Sequence, residues 1–206
     1  MAVTSIKAIV FDIGGVLLRT ECNSYRQKLE EKYNLPPGEL ESLVFGSEEA
    51  QASTIGLADQ DSIWNAVAAK LLLSKKALAD FIRLFWAGDL LDAELIAFLQ
   101  DCRPAYITAL LSNAWKGLRQ TIADEYGIIE GVTVDRILFS SELGIAKPDP
   151  RIYKILANTI NCGYHEILFV DDFIENVAAA RVLGINTIHY QSGIDLLNEI
   201  ESFLNK

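Results

Sequence analysis

Several short apolar runs in this sequence end in polar side chains of types that can do chemistry. Asp12 follows the first run, Ser112 follows the second, Lys147 lies in the loop after the third, and Asp171 and Asp172 follow the fourth. If the runs form parallel strands, these side chains meet at the carboxyl edge of one sheet, where such sheets bind ligands. A carboxylate, a hydroxyl, an amine and an acidic pair are the groups that phosphoryl transfer through a covalent carboxyl phosphate requires.

Each of these residues has a distinct predicted role. Asp12 would attack phosphorus, while Ser112 and Lys147 would hold the equatorial oxygens of the phosphoryl group. Asp12, Asp171 and Asp172 would hold Mg²⁺, which neutralises carboxylate and phosphate so that they can meet. Each residue alone has a structural alternative, with Asp172 as a helix N-cap, Ser112 in a turn and Lys147 in solvent. Their coincidence at successive strand ends favours the functional interpretation.

A glycine pair directly after Asp12 suits the approach of an anion. Gly14 and Gly15 let the backbone come close to a phosphate and point its N–H groups at it. We therefore expect a phosphate site made of backbone and side-chain donors. The predicted phosphate-binding residues are Ile13, Gly14, Ser112, Asn113 and Lys147.

The order of apolar patterns predicts an α/β fold, because strands and helices alternate along most of the chain. Strand-like runs are predicted at Ala8–Phe11, Tyr106–Leu111, Arg136–Phe139, Ile167–Val170 and Thr187–Tyr190. Helical spacing separates the last four, at Trp115–Tyr126, Pro150–Ile160 and Ile174–Leu183. Such alternation indicates a parallel sheet flanked by helices on both sides.

A long insertion between the first two strands is predicted to be helical. Its helices are expected at Asn23–Tyr33, Glu39–Phe45, Asp59–Leu73 and Lys75–Trp86, with Leu90–Leu99 as the crossover helix. The predicted organisation is a core from residues 1–17 and 89–206 with a helical cap from residues 18–88. The tryptophans, Trp64, Trp86 and Trp115, are expected to be packing residues.

Composition narrows the class of protein and its partners. The net charge is −10, which argues against a nucleic-acid partner because such proteins need a basic face. Three scattered cysteines and two histidines favour a reduced chain without a zinc site. The chain has neither a signal-peptide pattern nor an apolar stretch of about 18–20 residues. We expect a cytoplasmic monomer or homodimer that does not bind membranes.

The motifs resemble, in order, those of the haloacid dehalogenase-like hydrolase superfamily. Phe-Asp-Ile-Gly-Gly-Val-Leu (11–17) is similar to its first motif and Leu-Leu-Ser-Asn (110–113) to its second. Lys-Pro-Asp-Pro-Arg-Ile-Tyr (147–153) is similar to the third, and Phe-Val-Asp-Asp (169–172) with Glu175-Asn176 to the fourth. The resemblance implies a Rossmann-like core, a helical cap inserted after the first strand, and Mg²⁺-dependent hydrolysis of a small phosphorylated metabolite. The nearest likeness is to α-D-glucose 1-phosphate phosphatase-like members, so a sugar phosphate is one candidate.

Gly14 departs from the Asp-x-Asp pattern of phosphatases in this superfamily. The second Asp of that pattern protonates the leaving group and later activates water, whereas the metal ligand from the position is a backbone carbonyl, which Gly14 supplies. Glu21 and Cys22 are candidates to replace the missing acid. One alternative function is carbon–halogen hydrolysis without a metal, which the acidic pair disfavours. Another is a non-catalytic binding or regulatory protein, which the intact Asp12 and Lys147 disfavour.

Overall fold

A computed structural model describes residues 5–204 of the chain. The first half contains β1 (Ala8–Phe11), β2 (Leu18–Thr20), α1 (Ser24–Lys32), α2 (Glu39–Phe45), α3 (Glu48–Thr54), α4 (Gln60–Leu71), α5 (Lys75–Trp86), β3 (Asp89–Leu91) and α6 (Ala93–Cys102). The second half contains β4 (Ile107–Ser112), α7 (Leu118–Tyr126), β5 (Arg136–Phe139), α8 (Ser140–Leu143), α9 (Pro150–Thr159), a 3₁₀ turn (Tyr164–Glu166), β6 (Ile167–Asp171), α10 (Ile174–Val182), β7 (Asn186–His189) and α11 (Leu196–Leu204).

The core is a five-stranded parallel sheet in the order β5-β4-β1-β6-β7. Its strands are the five that the sequence predicts, with bounds that differ by no more than one residue. The predicted α/β architecture, a Rossmann-like sheet flanked by helices, is confirmed. β1 lies at the centre, so a residue that follows it stands in the middle of the carboxyl edge.

Alternate residues of each strand pack on opposite faces of the sheet. Ile9 and Phe11 belong to one apolar cluster with α6, α7 and α11, whereas Ala8 and Val10 belong to a second cluster with α9 and α10. All four side chains are fully buried. Burying a side chain as large as Phe11 contributes about 1.5–3 kcal/mol, and this two-sided burial holds the strand ends in place.

The helices α1 to α5 have an apolar cluster of their own. Its centre includes Ile63, Phe81 and Phe85, which are almost completely buried. The sequence analysis missed α3, because this polar helix buries only Ala50 and Ser53. Ser47 fixes its start by accepting a hydrogen bond from the Ala50 N–H at 3.1 Å. The division into a core and a cap at residues 18 and 88 stays a prediction.

A two-stranded antiparallel ribbon, β2 with β3, joins the helical insertion to the sheet. The predicted crossover helix was expected to begin at Leu90, but α6 begins at Ala93. Asp92 directly follows the ribbon and caps the helix by accepting a hydrogen bond from the Leu95 N–H at 2.9 Å. No helix within residues 5–204 is long and apolar enough to cross a membrane.

Candidate active site

The carboxyl ends of β1, β4 and β6 bring Asp12, Ser112 and Asp171 together. Phe11 of β1 pairs with Leu110 on one side and with Val170 on the other, so the residues that follow lie at one edge. The Asp12 N–H donates to the Val170 carbonyl at 2.9 Å and fixes this register beyond the end of β1. Asp12, Ser112 and Asp171 are 6, 3 and 0% exposed. Aspartates are rarely buried to this extent unless their charge is paired.

Lys147 lies between two of these carboxylates. Its Nζ is 2.8 Å from Asp12 Oδ2 and 2.6 Å from Asp171 Oδ2, and it donates to the Leu111 carbonyl at 2.9 Å. An ammonium has three protons, so these partners satisfy it completely. The side chain is fully buried, and the structure therefore places the loop lysine at the sheet edge, where the sequence analysis expected it.

Asn113 holds the loop that carries Lys147. Its Oδ1 accepts a hydrogen bond from the Lys147 N–H at 2.8 Å, and its Nδ2 donates to the Lys147 carbonyl at 2.8 Å. The amide side chain is therefore occupied at both ends. The predicted phosphate contact of this residue could come from its backbone N–H or from the second proton of Nδ2.

Asp171 is held in one orientation by α10 as well as by Lys147. Its Oδ1 accepts from the Phe173 N–H at 2.8 Å, and Asn176 Nδ2 lies 3.0 and 3.1 Å from its two oxygens. The Asn176 carbonyl in turn accepts from the Tyr153 hydroxyl at 2.8 Å. The sequence analysis gave no role to Asn176 or Tyr153, although both stand in motifs that it singled out. Glu175, by contrast, is exposed.

Asp12, Asp171 and Asp172 form a cluster with one oxygen of each within 4.8 Å of the others. Burial raises the pKa of Asp172 to about 6, and the charges of Asp12 and Asp171 add to the effect. Burial also raises the pKa of Asp12, against the opposing influence of Lys147 and of a hydrogen bond from Ser112. Three carboxylates thus share one ammonium, an excess of negative charge that suits a divalent cation.

The buried Oδ1 of Asp172 has no hydrogen-bond partner among residues 5–204. An unpaired buried oxygen beside two other carboxylates fits an oxygen-ligated ion such as Mg²⁺. These residues can therefore hold the metal that the sequence predicts.

Gly14 and Gly15 differ in whether a side chain could replace the glycine. Gly15 has a φ of +74°, and a Cβ there would collide with the carboxylate of Asp172. At Gly14 an added Cβ meets no heavy atom within 4 Å in the described part of the chain, and the position is exposed. Space and backbone conformation thus permit a side chain at Gly14. The Ile13 N–H, a predicted phosphate donor, bonds to Asp12 Oδ1 at 2.6 Å instead.

A cleft of about 530 Å³ opens beside Gly15 and Asp172 and is also lined by Arg19 and Glu21. Arg19 bonds to Glu21 at 2.9 Å and to Asp92 at 2.7 Å. Glu21, one of the two candidate acids, therefore lies at this cleft in an ion pair with Arg19. Cys22 is exposed, and its Sγ lies 3.2 Å from the Ser24 hydroxyl.

Comparisons with known proteins agree with this geometry. The family model for haloacid dehalogenase-like hydrolases matches residues 6–184. D-ribitol-5-phosphate phosphatase of Bacteroides thetaiotaomicron is 25% identical over 217 residues, which cover 97% of this chain and 99% of that protein. Bifunctional epoxide hydrolase 2 of Sus scrofa is 27% identical over 96% of this chain. The chain spans only 38% of the length of that porcine relative.

Solved structures share the fold. A HAD family enzyme of Bacteroides thetaiotaomicron, crystallised with magnesium and inorganic phosphate, has a TM-score of 0.74 at 20% identity and covers 95% of this chain and 99% of its own. A dehalogenase structure has a TM-score of 0.70 at 22% identity over 98% of both chains. At these identities the likeness establishes the architecture alone.

Proposed function

This chain belongs to the haloacid dehalogenase-like hydrolases, and we propose that it is a phosphatase that hydrolyses a small phosphorylated metabolite through a phosphorylated Asp12. The observation that carries the proposal is the buried contact of Asp12 with Lys147 beside the acidic pair Asp171-Asp172. A nucleophile, a fixed cation and a set of metal ligands are the parts that phosphoryl transfer needs. A sugar or polyol phosphate is the candidate substrate, which the relationship to a ribitol-5-phosphate phosphatase supports.

Mg²⁺ would be held by Asp12, Asp171 and Asp172 together with the backbone carbonyl of Gly14. When bound, it would supply positive charge that lowers the repulsion between the carboxylates and the phosphate dianion. The donor set is entirely oxygen, as this ion prefers, and the unpartnered Oδ1 of Asp172 supports the assignment. The magnesium in a related structure is a second support.

In the first step an oxygen of Asp12 attacks phosphorus, and the bond from phosphorus to the leaving-group oxygen breaks. Ser112 holds one oxygen of the transferred group, and Lys147 exchanges one of its three present partners for another of these oxygens. Lys147 also favours the ionised Asp12 against the effect of burial. The electron pair leaves on the ester oxygen. Since Gly14 offers no acid, the proton that this oxygen takes up comes from water or from another side chain, for which Glu21 and Cys22 are the candidates.

In the second step water attacks the phosphorus of the acyl phosphate, and the bond between phosphorus and Asp12 breaks. Inorganic phosphate leaves and the carboxylate is restored. A positioned general base commonly contributes about 10²–10⁴-fold, so its absence at Gly14 predicts modest turnover. Substrates whose leaving groups are stable as anions should be hydrolysed best.

The test is turnover of an aryl phosphate, with and without Mg²⁺, by the wild type and by Asp12→Asn. We expect metal-dependent release of phosphate by the wild type and its loss in Asp12→Asn, which keeps the shape of the side chain but removes the nucleophile. Asp61→Asn, which changes an exposed carboxylate, is the matched control and should be fully active.

The same assay separates the alternatives. Release of halide from a 2-haloacid without phosphate release would favour the dehalogenase function. No turnover of either substrate would favour a binding or regulatory protein. Near-wild-type activity of Asp12→Asn would contradict the proposed mechanism.

A further inference from the structure

The hydroxyl of Ser140 joins three parts of the chain. Ser140 begins α8 directly after β5 and is completely buried. Its Oγ accepts a hydrogen bond from the Ala114 N–H at 2.9 Å and donates to the Thr54 carbonyl at 2.6 Å. A hydroxyl has one proton and two lone pairs, so it can make both bonds at once.

The Ser140 hydroxyl provides the hydrogen bond of two backbone groups, the Thr54 carbonyl and the Ala114 N–H. Thr54 is the last residue of α3, where helix carbonyls lack a partner within the helix. The Ala114 N–H lies in the loop after β4 and is buried. Removal of the hydroxyl would leave a buried donor in the core and a partly buried acceptor in the helical insertion unpaired.

The two surfaces around Ser140 are in close contact. Gly56, just after α3, has a φ of +78°, and a Cβ there would collide with the Ser141 carbonyl. The Trp115 ring lies 5.5 Å from the Phe45 ring and 6.0 Å from the Trp64 ring, both in the insertion. Opening this contact would therefore expose apolar as well as polar groups.

The loop that Ser140 holds is the one that carries the candidate phosphate ligands. Ala114 follows Ser112 and Asn113, and Asn113 holds the backbone of Lys147. We propose that Ser140 is a positioning residue that couples the placement of this loop to the docking of the helical insertion. The proposal rests on the proposed phosphatase function only for its kinetic consequence.

Amide hydrogen exchange tests the coupling without reference to activity. In Ser140→Ala, exchange should accelerate by about tenfold not only at Ala114 but also at Leu57, whose N–H bonds to Ala52 in α3. Ser140→Thr keeps the hydroxyl and should restore protection at both positions. Ser141→Ala, which leaves the same contacts in place, should match the wild type.

A second variant changes the insertion and leaves Ser140 intact. Gly56→Ala should accelerate exchange at Ala114 although its hydrogen-bond acceptor is retained. Gly38→Ala is the matched control, because Gly38 has a similar φ of +81° but no heavy atom within 4 Å of an added Cβ in the described residues. If Ser140→Ala does not fold, exchange at Ala114 in Gly56→Ala tests the coupling on its own.

Kinetics provide the functional measurement. Ser140→Ala should lower kcat/KM for an aryl phosphate by about tenfold, with Ser140→Thr close to the wild type. Protection that persists at Leu57 in Ser140→Ala, or at Ala114 in Gly56→Ala, would overturn the coupling. A wild type without phosphatase activity would refute the proposed function, whereas the exchange data would still decide the role of Ser140.

Discussion

In the proposed mechanism, the lack of a carboxyl group at Gly14 makes departure of the leaving group depend on the acidity of that group. Since the Gly14 position is open and its φ is ordinary, Gly14→Asp can place a carboxyl group there without strain. We expect the wild type to hydrolyse alkyl phosphates much more slowly than aryl phosphates, and Gly14→Asp to raise the rate on alkyl phosphates by up to about 10²-fold. The measurement is kcat/KM across leaving groups of increasing pKa.

Gly14→Asn is the control for this series, because it has the shape of the carboxyl side chain without its acidity. Gly14→Asn should retain the steep dependence of kcat/KM on leaving-group pKa that we expect for the wild type. A flat wild-type series would show that another residue already supplies the proton, and the role given to Gly14 would then be wrong.

Asn176, near the start of α10, helps to orient Asp171, the carboxylate proposed to bind Mg²⁺. Asn176→Ala removes the donor that reaches both oxygens of Asp171. Loss of such an orienting group typically weakens metal affinity about 10–100-fold, so the Mg²⁺ concentration for half-maximal activity should rise by a similar factor. The measurement is a Mg²⁺ titration of activity, supported by calorimetry.

Glu175→Ala changes the adjacent, exposed residue of the same helix and should leave the Mg²⁺ titration unchanged. An equal shift in both variants would mean that the change in Mg²⁺ dependence does not come from the hydrogen bonds of Asn176 to Asp171.

The elements that the sequence predicts are those with local signals. The five strands of the sheet are apolar runs bounded by turns, so Asp12 and Asp171 could be placed at its edge from sequence alone. The ribbon β2–β3 was missed because three-residue strands have too short a pattern. Hydrogen bonds between residues far apart in the chain have no local pattern that signals them. Examples are the bonds of Asn113 with Lys147 and of Ser140 with Thr54.

Trp115 contributes an aromatic contact between the core and the helical insertion. The ring lies in the aromatic cluster of Phe45, Trp64 and Trp86, although Trp115 itself follows a core strand. We therefore expect the wild type to unfold in a single cooperative transition, detected alike by fluorescence and circular dichroism. Trp115→Ala should lower Tm, and the transitions detected by fluorescence and by circular dichroism should no longer coincide. The loss in the free energy of unfolding should be below the roughly 3–5 kcal/mol expected for a fully buried tryptophan.

Lys116→Ala is the control at the next position, since its ion pair with Asp59 at 2.9 Å is exposed and contributes little. Two transitions in the wild type would show that the insertion and the sheet are already independent, and the role given to Trp115 would be wrong.

The central claim is that phosphate is transferred to Asp12 before it reaches water. Rapid acid quenching of the wild type with an aryl phosphate and Mg²⁺, followed by mass spectrometry of its peptides, tests this most directly. Because Gly14 leaves the second step without a base, we expect the intermediate to accumulate, with one phosphoryl group on the peptide that contains Asp12. Steady release of phosphate with no phosphoryl group on that peptide, or with the group on another residue, would contradict the account.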